Sequence, residues 1–177
     1  MSTPSPWLPV LSNIAPAPIR RMSASIKAMD KIRQHQNLPV FDDVIAHPEV
    51  RLTSRSPIWS TEPPTDWSVY EAWKEDWFKK EVSNQFLITD PAICLPGFDL
   101  KRKDWTLLNR FCTGHGQCAA TLHDWGIRDN PLCACGSKQT MLHIVIECPL
   151  TKFPGGLQAL HSADEDSCSW LRKLSIR

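Results

Sequence analysis

Apolar residues recur along this chain mostly at steps of three and four, the period of helices that bury one face. Tyr70, Trp73 and Trp77 form one stripe, and Phe78, Val82 and Phe86 continue it. This predicts a long helix over 66–87, with Asp66 as its N-cap. Its wet side carries Glu75–Lys79 and Asp76–Lys80 at i,i+4, the spacing of helical ion pairs. Trp105, Leu108 and Phe111 predict a helix over 101–111, ended by Gly114-His115-Gly116. A further short helix is expected over 119–125, closed by Gly126. Thr140 is placed to cap one running to Glu147, and Trp170, Leu171 and Leu174 mark the last, over 164–174. The pattern is weaker upstream. Ile26, Met29 and Ile32 suggest an amphipathic helix within 19–36, and Phe41, Val44 and Ile45 a short piece after Pro39.

Proline divides these stretches. Residues 1–18 hold five prolines and read as an extended segment; residues 48–66 hold four and read as a linker or wrapping loop. The expected fold is mainly α. It is a small irregular helical domain at 66–177, with a zinc knuckle at 133–148, after a Pro-rich and helical segment at 1–65 that begins extended.

The 177 residues are 42% apolar, enough for a core in one domain or two small ones. The formal net charge of +1 hides an uneven distribution. Residues 61–100 carry three Lys/Arg against eight Asp/Glu, whereas residues 101–152 carry seven against four. A uniformly basic coat is excluded, but the C-terminal half is mildly basic. No apolar run reaches the ~18 residues of a membrane span, and no apolar stretch of secretory type follows the N-terminus. The seven cysteines are an odd number, unlike a secreted disulfide framework. An intracellular site, nucleus or cytoplasm, is expected.

The tightest chemical pattern is Cys133-x-Cys135-Gly136, then His143, then Cys148-Pro149. Three thiolates and an imidazole are a usual ligand set for closed, tetrahedral, structural zinc. Two thiolates one residue apart require a sharp turn, and Gly136 supplies the backbone freedom. Cys94, Cys112, Cys118 and Cys168 show no such spacing and read as small buried hydrophobes. No catalytic set stands out. Phe41-Asp42-Asp43 lacks a polymerase carboxylate pattern and reads as acids in a first helical turn. There is no phosphate-binding glycine loop and no hydrolase elbow.

Lys101, Arg102, Lys103 and Arg110 share one predicted helix with Trp105, and Arg128 and Lys138 lie toward the knuckle. This set can grip a phosphate backbone, or it can be the solvated face of a helix over a Trp-rich core.

The stretch Trp105 to Pro149 resembles the C-terminal tail of non-LTR retrotransposon reverse transcriptases of the jockey type. The residues that carry the resemblance are Leu108-Asn109-Arg110-Phe111-Cys112-Thr113-Gly114-His115-Gly116, Leu122-His123-x-Trp125-Gly126 and the knuckle itself. Phe153-Pro154-Gly155-Gly156-Leu157 and Trp170-Leu171 extend it, and Leu8 to Pro16 is similar to the segment after the thumb. The polymerase palm is not in this chain. The resemblance therefore implies a post-thumb remainder with no catalysis of its own, binding RNA or single-stranded DNA and associating with the rest of a reverse transcriptase. It implies zinc at Cys133, Cys135, His143 and Cys148, and phosphate contacts from Lys101, Arg102, Lys103, Arg110 and Arg128. The family usually has Arg where this chain has Cys112, which implies a lost phosphate contact. A zinc-stapled protein-interaction module, using the acidic Trp-rich stretch at 67–87, is the alternative, and an inactive relic is a third.

Overall fold

Helices account for most of the computed structural model, which describes residues 3–45 and 66–174. The described residues hold no β-strand, only an isolated antiparallel bridge between Leu132 and Lys138. The chain divides into two compact units, residues 15–79 and residues 1–14 with 80–177. The expected division at 65/66 falls at the edge of the undescribed stretch, and the linker expected at 48–66 lies almost wholly within it.

In the unit formed by residues 15–79, helix α2 (Ala17–Gln34) packs against α3 (Phe41–Ile45) and α4 (Val69–Phe78). Met29, Val44, Trp73 and Trp77 are buried there. Pro18 sits in the first turn of α2, where its missing N–H has no intrahelical partner to lose. Asp42 and Asp43 lie in the first turn of α3, where carboxylates favour the helix dipole. α4 starts two residues later than expected. Ser68 is its N-cap, accepting the Glu71 N–H at 3.1 Å, so Ser68-x-x-Glu71 supplies the capping-box sequence. Lys79 pairs with Glu75 at 2.7 Å, as the spacing predicts.

The long helix expected through Leu87 stops at Phe78; Gln85–Leu87 is a separate 3₁₀ turn. The reason lies in long-range hydrogen bonds that helix periodicity cannot foresee. The Ser83 carbonyl accepts the Trp7 indole N–H at 3.2 Å. Asn84 adopts a left-handed conformation, φ 58°, and its amide donates to the Cys112 carbonyl at 3.0 Å. Asn84 thus satisfies a carbonyl at the C-terminal end of α5 (Arg102–Cys112) that has no partner within the helix.

The N-terminal segment is also not extended. α1 (Trp7–Ser12) is helical and buries Trp7 and Val10 completely. Pro6 is its N-cap and Pro9 its third residue, two positions whose N–H groups have no acceptor inside a helix. These prolines are therefore compatible with the helix they seemed to forbid.

In the same unit, α5 packs against α7 (Gly156–His161) and α8 (Glu165–Lys173). Leu108, Phe111, Leu157, Leu160 and Leu171 are almost fully buried; each such side chain contributes roughly 1.5–3 kcal/mol relative to exposure. Trp170 lies between Phe111 and Phe153, with ring centroids 5.4 and 5.5 Å away. Gly97 has φ +79°, and a Cβ there would stand 2.7 Å from the Ala163 Cβ, so both conformation and space require glycine.

Candidate metal centre and basic groove

A short turn presents the first two ligands. Cys133 donates its N–H to the Ser137 carbonyl at 2.8 Å and accepts the Gly136 N–H at 2.9 Å. Gly136 has φ +89°, the backbone freedom the C-x-C spacing called for. The next two ligands come from a widened turn. Thr140 accepts the His143 N–H on its hydroxyl at 3.0 Å, as expected of a cap. The chain then winds as a π-helical turn over His143–Glu147, closed by the Cys148 N–H on the His143 carbonyl at 2.8 Å. That i,i+5 bond joins the third ligand residue directly to the fourth.

The ligand atoms of Cys133, Cys135, His143 and Cys148 all lie within 4.8 Å of one another. Cys133 Sγ and Cys148 Sγ are 3.7 Å apart, and Cys135 Sγ is 3.2 Å from His143 Nε2. The first distance is far too long for a disulfide. It matches the edge of a tetrahedron with metal–sulfur bonds of about 2.3 Å, which is roughly 3.8 Å. The cluster can hold a metal ion. Cys133, His143 and Cys148 are buried and Cys135 is partly exposed, so a bound ion would be shielded on most sides.

The surroundings fit ligand chemistry. The Cys135 backbone N–H, helped by His143, Gln139 and Cys148, outweighs burial and holds the Cys133 thiol down at about 6. His143 offers Nε2 to the thiols while Nδ1 lies 3.4 Å from the Glu147 carboxylate. A carboxylate behind a ligating histidine fixes its tautomer and raises its basicity. Gln139 donates to Cys133 Sγ at 3.6 Å and accepts the Ala119 N–H at 2.8 Å. It thereby ties the knuckle to the start of α6 (Ala119–Asp124). Neither Glu147 nor Gln139 was singled out in the sequence, because only the folded turn shows what they touch.

Of the basic residues, Lys101, Arg102, Lys103 and Arg110 line one open groove of about 1000 Å³. None of the four makes an ion pair among the described residues. Arg172 of α8 lines the same groove, 68 residues away from its partner Asp104. Its Nε and Nη2 both donate to Asp104 Oδ2, at 3.0 and 2.7 Å, and this contact raises its affinity for its proton. The buried carboxylate of α5 is thus matched, and the guanidinium stays mostly exposed. Arg128 is not part of this groove. It borders a separate cleft with Gln139, Thr151 and Lys173, and its guanidinium reaches the Leu132 carbonyl at 3.4 Å.

Of the cysteines outside the cluster, one departs from expectation and the others are buried as expected. Cys94 is exposed rather than buried. Cys112 is 2% exposed, and burial pushes its thiol up to about 12. The side chain at position 112 therefore faces the core, as expected of a small buried hydrophobe.

No protein-family model, no curated protein and no solved structure matches this chain. No helix among the described residues is long and apolar enough to cross a membrane.

Proposed function

We propose that this chain is a non-catalytic nucleic-acid-binding module with a zinc-held knuckle, akin to the tail of a jockey-type reverse transcriptase. The observation that carries the reading is the groove along α5. Lys101, Arg102, Lys103 and Arg110 face it without carboxylate partners, and Arg172 neutralises Asp104, the acid that lines it. Phosphates are the ligands such a groove suits, since each contact releases a condensed counterion. Zinc is the metal that the donor set favours: three thiolates and an imidazole whose ligand atoms all lie within 4.8 Å of one another. Its role there is structural, holding the turn at 133–136 against the π turn. Within this reading the module grips RNA or single-stranded DNA for an RNA-directed DNA polymerase, inside the cell.

The interaction-module alternative has fewer anchors over 67–87 than the Trp stripe suggests, because Trp73 and Trp77 are buried, while Tyr70, Phe78 and Phe86 stand exposed. The two readings differ in salt dependence. With about four phosphate contacts, the logarithm of affinity for a single strand falls against that of salt with a slope of roughly −3. Replacing Lys101, Arg102 and Lys103 together by Ala flattens the slope toward about −1. A salt-independent affinity, or none at low salt for the zinc-loaded chain, rules the nucleic-acid reading out.

A further inference from the structure

Beside the basic groove, on the other flank of α5, lies a second cleft of about 430 Å³. Thr106 and Arg110 line both. The walls of this cleft have a different chemistry. Trp105 contributes an aromatic ring, steadied edge-on by Phe98 at 5.7 Å. Asn109 and Gln117 contribute side-chain amides that have no hydrogen-bond partner among the described residues. His115 is oriented by its backbone: its Nδ1 lies 2.9 Å from the Thr113 carbonyl. A carbonyl only accepts, so Nδ1 carries the proton and Nε2 remains as the hydrogen-bonding nitrogen. Leu8 and Leu11 of α1 complete an apolar side.

A flat ring, apolar edges and a few amides with both donors and acceptors are what a nucleobase requires, and the cleft lies within the size range of small-ligand pockets. A phosphate requires none of them. We infer that this cleft takes one unstacked nucleobase of a bound single strand, while the adjoining backbone lies in the cationic groove across Arg110. Trp105 supplies the stacking surface, and Asn109, Gln117 and His115 meet the polar edge of the base. The inference rests on the nucleic-acid reading proposed above, and adds that binding is not backbone-only.

The test compares two probes on the zinc-loaded full chain: a short uridine oligonucleotide, and an abasic sugar-phosphate chain of the same length. Fluorescence anisotropy at low salt reads both affinities. A base in the cleft makes the intact strand bind on the order of tenfold tighter, the value of one good base–aromatic stack. The double substitution Trp105→Leu, Asn109→Ala removes the stacking ring and one amide and with them most of that preference, and metal content and thermal midpoint show that this variant remains folded. Equal affinity for the two probes overturns the base cleft and leaves the phosphate groove standing. A preference that survives the double substitution places the base elsewhere and also overturns it. Failure of both probes to bind removes the nucleic-acid reading and this inference with it.

Discussion

Replacing Trp170 loosens the metal knuckle from a distance. The indole N–H of Trp170 donates to the Thr151 carbonyl at 2.8 Å, and its ring touches Phe111 and Phe153. Thr151 and Phe153 in turn hold the π turn, through Thr151 Oγ1 to the Ile144 carbonyl at 2.8 Å and the Phe153 N–H to the Val145 carbonyl at 2.9 Å. Trp170 therefore clamps α8 to the segment that carries His143 and Cys148. Trp170→Phe retains an aromatic ring for both contacts and loses the hydrogen bond, about 1 kcal/mol, plus a similar amount for lost area. Trp170→Ala also loses two aromatic contacts of about 0.5–1.5 kcal/mol each and leaves a void, for a total of roughly 3–5 kcal/mol. At ~2–4 °C per kcal/mol for a chain of this size, the thermal midpoint drops by about 10 °C for Ala and about 5 °C for Phe. Zinc affinity, read by competition with a coloured chelator, weakens in the same order. An alanine variant within about 1 kcal/mol of the parent, or one that loses stability while its zinc affinity is unchanged, refutes the clamp.

Gln139→Ala removes the N–H···S contact on Cys133 and the tie to α6, and zinc affinity in the same competition assay falls by roughly 10- to 100-fold. Gly97→Ala meets both a positive φ and the Ala163 methyl, and denaturant unfolding shows a loss of roughly 2–4 kcal/mol. Asp164 caps α8 through the Ser167 N–H, a bond that holds its carboxyl below the usual range. A depressed folded pKa stabilises fully above the unfolded value of about 4 and is lost as pH falls through the lower folded value. Thermal melts of Asp164→Asn accordingly lose less stability between pH 5 and 2 than those of the parent.

Periodicity and ligand spacing carried much of this structure. Helices α5, α6 and α8 lie within two residues of where apolar steps and terminal glycines put them, and the four ligands converge as their spacing required. The failures share a cause. Pro4, Pro6 and Pro9 hid α1, because a proline at a helix start reads locally like one that forbids a helix. The expected helix through Leu87 failed at Ser83 and Asn84, whose partners Trp7 and Cys112 lie far along the chain. Arg172 has no local signature either, since its meaning comes from Asp104 across the fold.

The burial of the cysteines has a consequence for reactivity. Cys94 is exposed, Cys135 is partly exposed, and the other five are buried. Once a metal occupies the knuckle, Cys135 is engaged as well, and the Cys112 thiol at about 12 is inert as a nucleophile. An alkylating reagent then meets one open sulfur in the intact protein, and the number of tags read by mass spectrometry becomes a molecule-by-molecule record of whether the knuckle is closed.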